Sequence, residues 1–451
     1  MAVADDTHNG PRPAAHERVL RLLEHLGLAR AHVAGRHAAP ISDLLAARPG
    51  AAASVALVCP PVFEPAPFAG LGDCLLAVIG DGGPGAEAVA RTLRELPGAG
   101  VVTLPGYEQY AWSDMVADRP DEIGAALLAL LARVTAAERL APADLAAGEG
   151  EVAGVSYRVR GAGPPLVLFP LGLAPSQWDA LLPRLADRYC TIELGGAHLG
   201  AVASLEERGR ARGYLGIIAA VVDALDVRSG QRVLEVGCGT GVLCRWLAGR
   251  TGGAAPVVGV DINRYFLREA AALAAREGLA ERIEFREGDA KALPFNDASF
   301  DAVLCATVLE EVDADRALAE MVRVVRPGGR VGVVVRATDV PFWFSVPLGA
   351  EGKAKAERVT GPGVGPGGCG DASLLGRLRR AGLPDARAWL QMANLYPGLD
   401  TNDLWAYHQN WVLAALLAGE QDAWRAAVAR AEAEGTLIWA WPHHCAAGTR
   451  A

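Results

Sequence analysis

Val233-Leu234-Glu235-Val236-Gly237-Cys238-Gly239-Thr240-Gly241 reads as a buried strand that stops at a glycine turn and continues as a helix. A second apolar strand, Val257-Val258-Gly259-Val260, ends at Asp261. Glycines let the backbone turn sharply and approach a ligand where a side chain would intrude. In an open α/β sheet the ligand lies beyond the carboxyl ends of the strands, and an acid about 20 residues past the turn reaches ribose hydroxyls. Taken alone, the turn has two readings: the cradle of a nucleotide-type cofactor, or a tight turn kept for packing.

Three further stretches, in order, separate these readings. Gly288-Asp289-Ala290 follows the short strand Ile283-Glu284-Phe285. Leu293-Pro294-Phe295 precedes the run Ser299-Phe300-Asp301-Ala302-Val303-Leu304-Cys305. Arg326-Pro327-Gly328-Gly329-Arg330 then turns into Val331-Gly332-Val333-Val334-Val335. The ordered set resembles the class I S-adenosylmethionine (SAM) dependent methyltransferases, in particular the small-molecule branch that includes quinone-biosynthesis enzymes. The resemblance covers 205–340 well and the rest of 205–451 loosely. It argues against a nicotinamide dehydrogenase.

The resemblance implies an α/β fold with a Rossmann-like seven-stranded sheet, SAM as cofactor and a small organic acceptor. Gly237, Cys238, Gly239 and Gly241 would run along the amino-acid and ribose portions of SAM. Glu235 would accept from its ammonium group or orient a water. Asp261 would hold both ribose hydroxyls, Ile262 would pack on adenine, Asp289 would accept from the adenine amine, and Ala290 would offer a backbone N–H. Cys305, ending the fourth strand, would make backbone contact only. Tyr214, near the start of a helix over 211–227, either touches the methionine part or packs in the core. Asp301 is read as fixing the start of its strand.

Methyl transfer is an in-line displacement at carbon, so the protein supplies alignment and excludes water. A base is needed only when the acceptor must lose a proton. In Val308-Leu309-Glu310-Glu311-Val312, many relatives have Leu-x-His. Glu311 is therefore the candidate base or substrate contact. The alternative is a surface carboxylate favoured by a helix dipole. The acceptor pocket is expected after 340: Pro341-Phe342-Trp343-Phe344, a glycine-rich flap over 361–370, and helices carrying Trp405, Trp411 and Trp424. Those aromatics either line a pocket for a flat acceptor or pack as core. A sixth strand is expected near 386–392 and a seventh over 436–441, with His443-His444-Cys445 at its end. No third ligand accompanies those histidines at suitable spacing, so no metal site is expected.

The first half carries a second resemblance. Ala31-His32-Val33-Ala34-Gly35 enters a sharp turn, a helix passes through Ile41 and Leu44, and Val55-Ala56-Leu57-Val58-Cys59 is a strand. This resembles the middle of an α/β-hydrolase, whose elbow is G-x-S-x-G. Here it reads Gly35-Arg36-His37-Ala38-Ala39, with His37 at the nucleophile position. Gly83 stands where the triad acid belongs, Asp81 two residues early, and Gln109 where the histidine belongs. A helix runs from 120 to about 134, and 136–150 reads as a linker. Val155–Gly161, Leu166–Gly172 and the segment with Trp178 then resemble the front of the same fold. Pro170 lies where an oxyanion donor is usual, and proline has no N–H to donate. The front thus follows the rear: 1–135 would be the rear part and 151–200 the front. One permuted domain is favoured over truncated copies because domain termini are often close. The region is read as catalytically silent, serving as cover, scaffold or homodimer contact. Two rivals stand beside the methyltransferase: a SAM-binding cyclase or lyase, and an esterase using Ser42.

A chain of 451 residues exceeds one ordinary domain. The net charge of −9 leaves no basic footprint for nucleic acid. The eight cysteines are scattered without a C-x-x-C pair, which suggests neither zinc site nor disulfide framework. The start lacks the pattern of a secretory signal, and the uncharged run 161–177 is broken by Gly and Pro, unlike a membrane span. A reduced, cytoplasmic location with no membrane partner is expected.

Overall fold

Short apolar runs between amphipathic helices build the first of two units, Pro13–Ala203, around an eight-stranded sheet. The computed structural model describes residues 13–83, 85–109, 113–252, 255–359, 363–397 and 401–451. The strands are β1 (Ala31–Gly35), β2 (Ala52–Val58), β3 (Leu75–Gly82), β4 (Gly100–Glu108), β5 (Gly148–Val152), β6 (Val155–Arg160), β7 (Pro165–Leu168) and β8 (Cys190–Gly195). They lie in the order β4-β3-β2-β1-β7-β8-β6-β5. Every residue of β1 and β2 is buried, as expected for central parallel strands covered on both faces. β1 pairs in parallel with β2 on one side and with β7 on the other, Val33 lying opposite Val55 and Val167. The stretches before and after the expected linker therefore complete one sheet.

Phe169 N–H donates to Ala34 O at 2.8 Å across that join, and polar bonds order each side of it. Trp178 is fully buried, and its indole N–H donates to Phe169 O at 2.8 Å. His32, buried on β1, meets Ser54 Oγ at 2.7 Å and Thr135 Oγ1 at 2.9 Å through its two ring nitrogens. The expected linker is shorter than 136–150. The helix Pro120–Glu138 outruns its expected end at 134, and β5 begins at Gly148. Even the intervening coil is tied down, for Ala143 N–H donates to Gly163 O at 2.9 Å.

The second unit, taken from Ser204, holds β9 (Val233–Val236), β10 (Val257–Asp261), β11 (Ile283–Glu287), β12 (Phe300–Ala306), β13 (Val325–Arg336), β14 (Trp343–Phe344), β15 (Arg387–Leu395) and β16 (Trp439–Thr449). β11-β10-β9-β12-β13 are parallel, β16 runs antiparallel beside β13, and β14 and β15 both pair with β16. The expected seventh strand is displaced: it starts at Trp439 and continues to Thr449, so His443-His444-Cys445 lies inside it. Pro442 cannot donate to a ladder, yet its carbonyl accepts from Ala337 N–H at 3.0 Å and the strand continues past it. The expected helix over 211–227 spans Arg212–Ala224 and buries Tyr214, Ile217, Ile218, Val221 and Val222. Of the expected glycine flap, residues 361 and 362 lie outside the described residues.

Candidate active site

Side chains alternate across a strand, and β9 uses this to sort its load. Leu234 and Val236 join one apolar cluster, while Val233 joins another. Glu235 shares the side of Val233. After β9 the chain turns through Gly237 and Gly239 at φ +73° and +51° before the helix Val242–Arg250. The turn at Gly237 is also crowded: a Cβ there would stand 2.1 Å from Val308 Cγ2. Its N–H and that of Cys238 donate to Val260 O at 2.8 and 3.1 Å, anchoring the turn to the end of β10.

Asp261 ends β10. Its Oδ2 accepts from Gly239 N–H and its Oδ1 from Asn263 N–H, both at 2.8 Å. Burial raises its carboxyl above the usual range, and those backbone donors oppose the rise. Ile262, beside it, is 68% exposed despite its apolar side chain. Asp289 is partly exposed; its carboxylate caps Lys291 N–H at 2.8 Å and pairs with Lys291 Nζ at 3.5 Å. Ala290 packs against an apolar cluster. Cys305 is fully buried and its thiol is pushed well above its ordinary value by desolvation, which leaves it inert as a nucleophile.

A cavity opens over the glycine turn, lined by Tyr214, Glu235, Cys238, Leu205, Arg208 and Thr240, among others. Glu235 is 3% exposed, and its Oε2 has no hydrogen-bond partner among the described residues. Burial is the main cause that pushes its carboxyl up to about 8; the nearby Asp261 adds to the rise and Cys244 opposes it. Arg208 places its guanidinium 5.4 Å from the Tyr214 ring centroid. The cavity lining therefore carries a buried acid and a basic side chain. Those complement the ammonium and carboxylate of an amino-acid tail, so the residues fit SAM.

The sequence reading missed the helix Gly200–Arg210, which supplies Leu205 and Arg208. It packs closely: a Cβ at Gly209 would stand 2.3 Å from Val242 Cγ1. Buried Glu206 accepts from Thr240 Oγ1 at 2.6 Å, from Arg210 at 3.0 Å and from buried Arg245. Glu206 and Arg210 stand four apart on one helix, and that spacing is the signal available in the sequence.

Glu311 is not among the residues lining the cavity. It is half-exposed, and its carboxylate is held by Arg336 Nη2 at 2.7 Å. Asp301 takes Arg232 N–H at 2.6 Å, at the start of β12. Trp405, Trp424 and Trp439 are buried in one aromatic cluster with Phe342 and Phe344. His444 pairs with Asp339 at 2.6 Å. Among the described residues, no three His, Cys, Asp or Glu side chains gather as metal ligands.

A mixed, Rossmann-like sheet with a glycine turn after its first strand and an acid after its second agrees with the family match over residues 234–333: this unit carries a SAM-dependent methyltransferase domain, with SAM as its cofactor. Residues 234–333 match the sequence model of the methyltransferase domain family. The chain is 42% identical over 120 residues to the methyltransferase GfsG of Streptomyces halstedii, covering 26% of this chain and 42% of that protein. It is 38% identical over 138 residues to the ubiquinone/menaquinone biosynthesis C-methyltransferase UbiE of Hahella chejuensis, covering 28% and 55%. The chain thus spans about half the length of the curated relatives it matches. Among solved structures, the [4+2]-cyclase SpnF is 25% identical, with 54% of this chain and 85% of that chain covered and a TM-score of 0.34. No helix among the described residues is long and apolar enough to cross a membrane.

Proposed function

We propose that the chain transfers the methyl group of SAM to a small organic acceptor by in-line displacement. The observation that carries this is Glu235: a buried carboxyl with an unpartnered oxygen on the wall of a cavity that also presents Arg208. The ammonium of SAM supplies the missing partner, and Arg208 faces its carboxylate. Asp261 takes the ribose, Ile262 offers an apolar face to adenine, and Asp289 with Ala290 reads the adenine edge. Tyr214 flanks the methionine part. SAM supplies an electrophilic methyl; the chain aligns it and excludes water. The relatives named for quinone biosynthesis support a small organic acceptor. Glu311 is given no proton-transfer role, because Arg336 occupies its carboxylate.

For Pro13–Ala203 the proposal is a permuted, catalytically silent α/β-hydrolase-like unit that serves as a scaffold. What supports it is the pairing of β1 with β7 and the use made of the triad positions. Gln109 is buried, with Oε1 accepting from Gly80 N–H at 3.0 Å and Nε2 donating to Pro60 O at 3.1 Å. Asp81 accepts from Gly106 and Tyr107 N–H at 2.7 and 3.0 Å. His37 stands at the start of a helix, its imidazole lowered to about 4 by burial and by Arg36. Ser42 donates back to Ala39 O at 2.8 Å, which disfavours an esterase.

Calorimetric titration with SAM and S-adenosylhomocysteine tests the cofactor site. An acceptor screen read by mass spectrometry then tests transfer. Micromolar binding followed by a product heavier by one methylene group is expected. A folded protein that binds neither compound would overturn the reading. One that binds SAM and releases product without a mass gain would favour a cyclase or lyase.

A further inference from the structure

We infer that Cys244 is a positioning residue of the cofactor site: its thiol holds one oxygen of Glu235 from beneath the glycine turn and leaves the other for the ammonium of SAM. This rests on the reading above that Glu235 takes that ammonium.

Glu235 on β9 lies opposite Gly259 on β10 in their parallel ladder. Neighbouring strands run about 4.8 Å apart, so the side chain of Glu235 passes beside the space above Gly259. That space is filled by sulfur. A Cβ on Gly259 would stand 2.7 Å from Cys244 Sγ and 2.9 Å from Cys238 Sγ. Glycine is therefore required at 259 because two thiols occupy the place of its side chain. Cys244 is fully buried in the first turn of the helix Val242–Arg250, and Cys238 is buried in the glycine turn before it. Both are free thiols.

The Cys244 thiol and the Glu235 carboxyl share a hydrogen bond. Oε2 of Glu235 has no partner among the described residues, so that bond falls on Oε1. An ionised carboxylate only accepts, so the proton in the bond then belongs to sulfur. Cys238 directs its own thiol to Gly239 O at 4.0 Å.

The choice of sulfur has a consequence for the empty site. A thiol is a weak donor. A hydroxyl in its place would hold the carboxylate charged before any ligand arrived, and an alkyl group would give no hold at all. With a thiol the empty site keeps a neutral carboxyl, which is cheaper to bury than a charge. The arriving ammonium then completes the ionisation, and Cys244 keeps Oε1 in place while it does so. The other titratable or charged groups facing Glu235 are Asp261 at the end of β10, Arg245 on the helix of Cys244, Tyr214 on the helix Arg212–Ala224 and Cys305 on β12. Cys238 in the turn and Arg208 on the cavity lining complete the set.

The test is calorimetric titration of wild type, Cys244→Ala and Cys244→Ser with S-adenosylhomocysteine, whose tail carries the same ammonium, across about pH 6 to 9. Affinity rises with pH as Glu235 ionises. Both substitutions remove the bulk of sulfur, but they change the donor in opposite senses. Alanine removes it, so the rise should move to higher pH and affinity at about pH 7 should fall about tenfold. Serine strengthens it, so the rise should move to lower pH and affinity at about pH 7 should not fall. In a Glu235→Gln background neither substitution should move the pH profile. If Cys244→Ala does not fold, the downward shift in Cys244→Ser is the required result. Shifts in the same direction, or an unmoved profile in either folded variant, overturn the inference and reduce Cys244 to packing. A folded wild type that binds neither SAM nor S-adenosylhomocysteine overturns the underlying reading instead.

Discussion

The backbone N–H of Gly239 donates to Asp261 Oδ2 at 2.8 Å, so the acid after β10 holds the glycine turn after β9. The other oxygen holds Asn263. One carboxylate thus orders both the turn after β9 and the turn after β10. Asp261→Ala removes two hydrogen bonds, each worth about 1 kcal/mol net. The second unit should lose about 2 kcal/mol in denaturant unfolding, and SAM binding should fall below calorimetric detection. Asp261→Asn keeps an acceptor oxygen and should lose less stability while still binding SAM at least about tenfold more weakly. Wild-type affinity in Asp261→Ala would remove Asp261 from the site.

With SAM at Glu235, as proposed, cofactor binding should be a proton-linked event. Its folded carboxyl titrates near 8 against an ordinary 4.5. Between those values the folded protein keeps a proton that the unfolded chain has released. The stability from this group is therefore full below about 4.5 and declines as pH rises through 8. An ammonium against the carboxyl favours its ionised form, so SAM binding at neutral pH should release a proton. Calorimetry in buffers of different ionisation enthalpy measures this release. Glu235→Gln should release none and bind SAM more weakly. A release unchanged in that variant would assign the proton elsewhere.

The site was legible where its chemistry is local. A strand, a glycine turn and a strand-end acid are contiguous patterns, so Gly237, Gly239 and Asp261 could be read together. Arg208 and Glu206 could not: the Glu206–Arg210 spacing marks a helix, but no spacing reveals that this helix packs on the glycine turn. Glu310 and Glu311 are neighbours in a loop, and periodicity does not say which is buried. The seventh strand, expected over 436–441, starts at Trp439 and runs on through Pro442 to Thr449, and proline, which cannot donate to a ladder, gives no sign of that continuation. In the first unit each apolar run was readable, but the parallel pairing of Val33 with Val167 joins residues far apart in sequence.

The first unit should be silent toward serine-hydrolase probes. A fluorophosphonate should label neither wild type nor Ser42→Ala; labelling that vanishes in Ser42→Ala would restore the esterase reading. Gln109 instead has a structural function. Gln109→Ala would leave Gly80 N–H and Pro60 O without their side-chain partner. Unmet buried groups cost about 1–3 kcal/mol each, so this unit should lose about 2–6 kcal/mol of stability. A change within about 0.5 kcal/mol would mean that water replaces the amide.

The buried pair of Glu206 and Arg245 ties the helix bearing Arg208 to the helix after the glycine turn. Arg245 also donates to Thr240 O at 2.8 Å and meets Glu277 at 3.1 Å. Arg245→Met leaves the Glu206 carboxylate buried with Thr240 and the partly exposed Arg210. Breaking such a pair from one side costs about 3–5 kcal/mol, whereas replacing both partners by apolar groups is often near neutral. A Glu206→Leu, Arg245→Met double variant should therefore regain most of the stability lost by Arg245→Met in denaturant unfolding. SAM affinity should not recover with it, because Thr240 loses both of its bonds to the pair and the turn is no longer held against the Arg208 helix. Stability losses that simply add would show the two charges to be uncoupled. Recovered affinity would show that apolar packing alone seats Arg208 at the cavity.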